Sequence, residues 1–189
     1  VRSTAGMGRG KVFVYGSLMV DVIVYSLLGR LPKATPAILT SYKRYRINGR
    51  PYPGMRKSSP TCSTKGMVLH GLSENEFQRL EAFETDDYFS KVLEVESSET
   101  RESLEALAFL WSDRKLHALA EEEWTMEADF WPYFQNFLTR TREYAASPEY
   151  QALLPLAMRG QVPPPLPLPP SEVSDGYIVS EHVTHVSSG

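Results

Sequence analysis

The chain has 189 residues, 42% of them hydrophobic, which suffices for one domain with a packed core. Its 20 basic and 23 acidic residues leave a formal net charge of −3, so neither a nucleic acid nor a membrane is an expected partner. The single cysteine, Cys62, excludes an internal disulfide, no apolar run approaches the roughly 20 residues that span a bilayer, and residues 1–10 lack a signal-peptide pattern. We therefore expect a soluble protein of the cytoplasm.

The first half of the chain is predicted to contain several short strands and one helix. Apolar residues at helical spacing predict the helix over residues 20–28, and Gly29 is suited to end it. Residues 51–60 contain three prolines and are predicted to form a loop. The strands are predicted from apolar or β-branched stretches bounded by turn residues. They are residues 11–15, 37–39, 45–47 and 66–72.

The second half is predicted to mix helices with a β-hairpin. Ser73 followed by Glu76 has the spacing of a capping box and predicts a helix over residues 74–83. Pro132 fits only the first turn of a helix, so another helix is predicted to begin near Asp129. After residue 146 the helical pattern weakens. Alternating segments joined by a polar turn predict two further strands, residues 88–96 and 105–111.

These elements predict one domain and a tail. Residues 11–159 are expected to form an α+β domain, a small mixed β-barrel with flanking helices. Residues 160–189 are predicted to be a Pro-rich tail, because six prolines between Val162 and Pro170 require an extended, polyproline-like segment. This segment is compatible with a spacer or with a ligand for an adaptor domain that has an aromatic groove.

The first predicted strand runs into the turn Tyr15-Gly16-Ser17-Leu18. A strand that ends in a glycine turn can direct several backbone N–H groups to one point, where they hold a carboxylate or an oxyanion. The turn lacks the spacing of a phosphate-binding loop and that of a nucleophile elbow. It is therefore a candidate site for a small anion, with an ordinary turn as the alternative.

Glu84 is the strongest candidate for a catalytic residue. It ends a predicted helix beside the apolar residues Leu80 and Phe83. Partial desolvation there would raise the pKa of the carboxyl and make it an effective proton shuttle near neutral pH. A solvated glutamate at a helix end is the alternative. Glu81, three residues earlier, could pair with Glu84 but better fits the solvent-exposed face.

Other polar groups give weaker signals. Cys62 and His70 show no pattern of a thiol nucleophile with its base. The acidic run of residues 121–123 is interpreted as a solvated face or the charged start of a helix. The histidines lack the spacing of metal ligands, so a zinc site is not expected. They are His70, His117, His182 and His185.

Three motifs in this order resemble the gamma-glutamylcyclotransferase-like superfamily, in particular its plant-type avirulence-induced-gene branch. They are Val12-Phe13-Val14-Tyr15-Gly16-Ser17-Leu18, Gly66-Met67-Val68-Leu69-His70-Gly71-Leu72, and Leu80-Glu81-Ala82-Phe83-Glu84 with Tyr88 following. The segment Gly49-Arg50-Pro51-Tyr52-Pro53 also fits this branch, as do Trp111 and Trp131. The similarity covers roughly residues 11–145.

The resemblance implies an enzyme that acts on a small γ-glutamyl amide or amine without a metal or an organic cofactor. In this family the α-amino group of the substrate attacks its own γ-carbonyl and releases 5-oxoproline. The resemblance assigns Glu84 as the proton acceptor and donor. It assigns substrate binding to a turn and one later tyrosine, namely Tyr15, Gly16, Ser17, Leu18, Met19, Val20 and Tyr88. It gives no expectation for the oligomeric state.

Two residues depart from the family pattern. Leu18 stands where the founding cyclotransferases have asparagine. The plant-type branch often has leucine at this position too. Phe109 stands where related chains often have a tyrosine. A lost hydroxyl at position 109 would alter the choice of substrate or weaken activity. A non-catalytic binding module on the same fold is therefore the alternative function, and the retained Glu84 argues against it.

Overall fold

The protein is described by a computed structural model that covers residues 10–161 and residue 166. Five strands form a closed barrel in the order β1 (Lys11–Val14), β5 (Ser63–His70), β2 (Lys33–Thr40), β6 (Tyr88–Ser97) and β7 (Ser103–Trp111). Strand β1 lies antiparallel to β5 and parallel to β7, which closes the barrel. Each of these five strands overlaps a stretch that was predicted to be a strand, and the predicted α+β barrel is confirmed.

A second sheet of three strands packs beside the barrel. Its order is β4 (Pro53–Lys57), β3 (Tyr42–Ile47) and β8 (Leu119–Glu123). Strand β4 corrects the prediction of a loop over residues 51–60. Proline is tolerated in β4 because Pro53 is its first residue and β4 is an edge strand, where a missing N–H breaks no central ladder. The acidic run lies in β8, an exposed strand, so the solvated interpretation is the correct one.

Helices flank the barrel. They are α1 (Asp21–Leu28), α2 (Glu74–Glu84), α3 (Phe134–Ala146) and α4 (Pro148–Leu153). Helix α1 ends at Gly29, whose φ of 72° is the left-handed conformation that glycine adopts at little cost. The predicted capping box of α2 is present, because Ser73 Oγ accepts the N–H of Glu76 and the Glu76 carboxylate accepts the N–H of Ser73.

The third and fourth helices differ from the prediction. Helix α3 begins at Phe134 and not near Asp129, because a π turn (Met126–Phe130) and a 3-10 turn (Trp131–Tyr133) come first. Pro132 lies in the first turn of the 3-10 segment, where its missing N–H leaves no bond unmade. Helix α4 was not predicted. Its signal was the pair Ser147-Pro148, since the Ser147 hydroxyl caps the N–H of Tyr150.

Alternation along β1 divides the core into two layers. Phe13 and Tyr15 point into the barrel, whereas Val12 and Val14 point outward against the helices. Each layer is buried, with Phe13 fully inaccessible to solvent. The end of β1 is therefore held on both sides by packed side chains, and this fixes the turn that follows it. Among the described residues, no helix is both long and apolar enough to cross a membrane. The predicted tail lies almost wholly outside the described residues.

Candidate functional site

A cavity of about 870 Å³ opens at the end of the barrel where β1 stops. Its walls include the turn after β1, the end of α2, the loop between β3 and β4, and one face of α3, with further residues from β6, β7, β8 and the π turn before α3. Its size is in the range of small-molecule sites. The elements that were predicted to carry the candidate residues thus meet at a single concave surface.

The turn after β1 is held in place by close contacts. A Cβ atom on Gly16 would lie 2.7 Å from Cδ of Pro53, so only glycine lets the two segments approach this closely. Arg44 Nη1 donates to the carbonyl of Tyr15 at 3.1 Å, and the Tyr15 hydroxyl donates to the carbonyl of Phe109 inside the barrel. The turn is therefore anchored from the β3–β4 sheet and from β7.

Residues 17–19 of this turn form one 3-10 turn. The N–H of Met19 donates to the carbonyl of Gly16 at 2.9 Å, and the N–H of Val20 donates to Ser17 at 3.1 Å. The N–H groups of Ser17 and Leu18 come before the first bond of this turn and have no acceptor within it. Both residues line the cavity, so these donors can serve a bound anion or a carbonyl oxygen.

Glu84 is the last residue of α2 and lines the cavity. Its carboxylate has no hydrogen bond or ion pair within the part of the chain that the structure describes. The side chain is partly accessible from the cavity but otherwise surrounded by protein. Burial raises the pKa of Glu84 from 4.5 to about 8. The carboxyl can therefore exchange a proton with a ligand near neutral pH.

A strained residue directly follows Glu84. Thr85 has φ 65° and ψ −176°, a combination that favours glycine and costs a β-branched residue about 1–3 kcal/mol. The turn formed by residues 85–87 is tied down by the N–H of Ser112, which donates to the carbonyl of Asp87 at 2.9 Å. Lys115 also forms an ion pair with Asp87 at 2.7 Å. These contacts hold the chain reversal that ends α2 at the cavity.

Three tyrosines of the cavity lining interact electrostatically with the carboxyl of Glu84. Burial raises the pKa values of Tyr15 and Tyr88 well above 10, and the charge of Glu84 raises both further. Burial also raises the pKa of Tyr52, with an additional contribution from Glu84. The Tyr88 hydroxyl donates to the carbonyl of Pro53 at 2.8 Å, and its ring lies edge-on to Trp111. These phenols therefore stay neutral in the working pH range.

The structure brings most of the predicted site residues together. Those that line the cavity are Tyr15, Gly16, Ser17, Leu18, Glu84 and Tyr88. Met19 and Val20 do not line it: Met19 borders a small separate cleft, and Val20 is buried in the core. Glu81 is exposed and accepts a hydrogen bond from Ser90 Oγ at 3.2 Å, so it does not pair with Glu84.

Position 109 lies at the cavity wall. The Phe109 ring stacks on Phe77 with the centroids 5.8 Å apart, and its carbonyl accepts the Tyr15 hydroxyl. A phenylalanine here therefore supports the turn through its backbone and packs through its side chain. No hydroxyl is available from this position.

Sequence reasoning missed the aromatic wall contributed by α3 and the loop after β3. Phe137, Tyr144 and Tyr52 line the cavity, together with Phe83. The loop was noted as a motif, Gly49-Arg50-Pro51-Tyr52-Pro53, but no role was assigned to it. The residues of α3 had no local signal, because only the packed structure shows which helix face meets the cavity.

The weaker candidates do not form sites. Cys62 and His70 flank opposite ends of β5, whose eight residues extend about 25 Å. His70 shares a hydrogen bond of 2.7 Å with Thr35, and Cys62 accepts one from Ser58. In the described part of the chain, no group of three or more histidine, cysteine and acidic residues could hold a metal ion. His182 and His185 lie outside the described residues.

A closed barrel whose cavity is lined by both a glycine turn and a partly buried carboxyl defines a small domain with the gamma-glutamylcyclotransferase fold. Two solution structures of proteins from Arabidopsis thaliana are similar to this chain. One is 24% identical, with a TM-score of 0.55, over 72% of this chain and 90% of that chain. The other is 25% identical, with a TM-score of 0.54, over 79% of this chain and 92% of that chain.

Sequence relatives identify the family. AIG2-like protein C of Arabidopsis thaliana is 32% identical over 140 residues, which cover 74% of this chain and 80% of the relative. AIG2-like protein D of the same plant is 36% identical over 71% of this chain and 88% of the relative. The family model described as "Gamma-glutamyl cyclotransferase, AIG2-like" matches residues 12–126. The chain belongs to this family, and the matched region contains both the turn after β1 and Glu84.

Proposed function

We propose that this protein is a γ-glutamyl cyclotransferase that needs no cofactor. The observation that carries the proposal is the carboxyl of Glu84, which has no hydrogen-bond or ion-pair partner among the described residues and lies in the cavity that the Tyr15 to Leu18 turn also lines. In the proposed reaction the α-nitrogen of a γ-glutamyl amide bonds to the γ-carbonyl carbon. The bond from that carbon to the amide nitrogen then breaks, which releases 5-oxoproline and a free amine.

Glu84 moves the protons in this reaction. The substrate enters with an α-ammonium group, and two protons must pass from the α-nitrogen to the leaving nitrogen. A carboxyl that alternately accepts and donates a proton can carry both of them. Burial raises the pKa of Glu84 to about 8, so this carboxyl accepts a proton from an ammonium group more readily than an ordinary carboxyl does.

The turn after β1 binds the γ-glutamyl unit. The N–H groups of Ser17 and Leu18 are suited to the substrate carboxylate or to the oxyanion that develops on the γ-carbonyl. Ring closure is already intramolecular, so the cavity contributes mainly by selecting a folded substrate conformer. Tyr88, fixed by its bond to the carbonyl of Pro53, forms part of that wall. We do not assign Met19 and Val20 a direct substrate contact.

The first test replaces Glu84 by glutamine. Glu84→Gln keeps the shape of the side chain but cannot accept a proton, so the rate of 5-oxoproline release should fall by about 10²- to 10⁴-fold. The measurement is product formation from a panel of γ-glutamyl amides, with circular dichroism to verify the fold. Glu81→Gln, on the exposed face of the same helix, is the matched control and should retain wild-type rates. Equal turnover by the Glu84 variant would exclude the mechanism.

A non-catalytic binding module is the second candidate function. The observation in its favour is Phe109, which places an apolar ring and no hydroxyl at the cavity wall. Thermal-shift measurements with the same panel separate the two candidates. A ligand that raises the melting temperature without any release of 5-oxoproline supports the module, and turnover excludes it.

A further inference from the structure

The cavity is larger than the proposed reaction centre requires. A γ-glutamyl unit has the size of one amino acid, whereas the cavity holds about 870 Å³. The turn after β1 and Glu84 are only part of its lining. The loop after β3 and the face of α3 also line the cavity, so the amine side of the substrate can extend to them.

The wall on that side is aromatic and continues from Glu84. Phe83, the neighbour of Glu84, packs edge-on against Phe137 with ring centroids 6.2 Å apart. Phe137 in turn packs against Tyr52 at 6.1 Å, and Phe83 lies 5.9 Å from Tyr144. All four rings are only partly buried and line the cavity. Such a wall favours a planar or large apolar ligand group next to the scissile bond.

Cationic side chains lie at the same wall. Arg140 shares a face of α3 with Phe137 and Tyr144, because they are spaced by three and four residues. Arg50 lies in the loop beside Tyr52. Within the described part of the chain, neither arginine forms an ion pair with a carboxylate.

The other charges of the wall are partly compensated. Arg46 forms an ion pair with Asp129 at 2.7 Å, so the charges of these two side chains cancel. Glu122 also lines the cavity and is exposed, but it lies on β8 and not on an element that carries the aromatic rings. Arg50 and Arg140, which form no ion pair among the described residues, lie on the loop after β3 and on α3, and their positions favour a ligand group that carries a carboxylate.

We propose that this wall is a subsite for the leaving group and that the leaving group is an amino acid with an aromatic or large apolar side chain. The ring packs against Phe137 and Tyr52, and the carboxylate meets Arg140. This inference rests on the proposed function, since it assigns the substrate class of the same site. It makes Arg140 a specificity-determining residue and gives the chain a preference for a γ-glutamyl dipeptide over a γ-glutamyl alkylamine.

The test compares four substrates with the full chain. They are γ-glutamyl-phenylalanine, γ-glutamyl-phenethylamine without the carboxylate, γ-glutamyl-alanine without the ring, and γ-glutamyl-putrescine with a terminal cation. We expect kcat/KM for 5-oxoproline release to be about tenfold higher for the phenylalanine compound than for each of the others. Similar values for all four compounds would overturn the subsite and leave the cyclotransferase intact.

Arg140→Gln tests the carboxylate contact. The variant should lower kcat/KM for γ-glutamyl-phenylalanine by about tenfold and change that for γ-glutamyl-phenethylamine less than twofold. Arg142→Gln is the matched control, because Arg142 is an exposed arginine of the same helix that does not line the cavity. An equal loss for both compounds in the Arg140 variant, or a loss in the control, would contradict the assignment.

Measuring how the substrates bind to the Glu84→Gln variant tests the subsite independently of the reaction. Calorimetry with this variant measures affinity without turnover, and the phenylalanine compound should bind about tenfold tighter than its phenethylamine analogue. That preference without turnover by the wild type would support the subsite and reject the cyclotransferase. Turnover by the wild type without that preference would reject the subsite alone.

Discussion

At the scale of single residues, the site depends on an unpaired carboxyl. Most buried carboxylates are stabilised by hydrogen bonds or by cations, whereas Glu84 has neither in the described part of the chain. Its neighbours are the neutral hydroxyls of Tyr15, Tyr52 and Tyr88. The protein therefore gives up stability to hold this carboxyl in the cavity, which is the arrangement that the proposed proton transfer requires.

That cost depends on pH. The pKa of Glu84 is about 8 in the folded chain and near 4.5 in the unfolded chain, so the folded state holds the proton more tightly. The free energy of unfolding therefore falls as the pH rises from 4.5 to 8, and the full penalty applies above pH 8. Glu84→Gln removes the penalty.

We expect Glu84→Gln to match the wild type in urea denaturation at pH 4.5 and to exceed it at pH 9 by a few kcal/mol, at about 1.4 kcal/mol per pKa unit. Glu81→Gln is again the control and should show no such pH-dependent gain. A constant difference between Glu84→Gln and the wild type at both pH values would show that Glu84 is not desolvated.

Thr85 provides a second prediction at this scale. Thr85→Gly removes the cost of a left-handed threonine, about 1–3 kcal/mol, against an entropic cost of glycine of about 0.5–1 kcal/mol. We expect a net stabilisation of about 1 kcal/mol in chemical denaturation. Thr85→Ala retains the strained φ and should bring no such gain. If both variants behave alike, the backbone at position 85 is not strained.

At the scale of elements, helix α2 is fixed at its N-terminus by hydrogen bonds, and its last residue, Glu84, lies at the cavity. Its capping box is reinforced by Arg30, whose guanidinium forms an ion pair with Glu76 at 2.5 Å. Arg79 of the same helix donates to the carbonyls of Leu27 and Leu28 at the end of α1. The contacts of Glu76 and Arg79 therefore orient the whole helix, and with it Glu84 at its C-terminal end.

Ser73→Ala tests the start of this helix. It removes the side-chain cap of the Glu76 N–H and should lower the free energy of unfolding by about 1 kcal/mol. Ser98→Ala, in the exposed turn between β6 and β7, is the control and should stay within about 0.5 kcal/mol of the wild type. A loss no greater than that of the control would mean that the cap does not stabilise α2.

At the scale of the whole molecule, local signals predicted the five barrel strands, α1, α2, the turn after β1 and the candidate carboxyl Glu84, because each depends on neighbours in the sequence. Ser73 and Glu76 set the register of α2 and hence the place of Glu84. The wall formed by Tyr52, Phe137 and Tyr144 depends on contacts over long sequence distances, so no local pattern reveals it. Strand β4 was missed because it begins with Pro53 in a proline-containing stretch, and proline is tolerated there only at the edge of a sheet; strand β8 was missed because its acidic residues gave no strand signal.

The central claim is that Glu84 drives an internal cyclisation, and one product analysis tests it. Wild type and Glu84→Gln are incubated with γ-glutamyl-phenylalanine in ¹⁸O-labelled water, and the products are identified by mass spectrometry. The account predicts that the 5-oxoproline from the wild type is unlabelled, because no water attacks the γ-carbonyl. It also predicts at least about 100-fold less 5-oxoproline from the variant, because glutamine cannot accept the proton. Glutamate that carries ¹⁸O, or equal amounts of 5-oxoproline from both proteins, would contradict it.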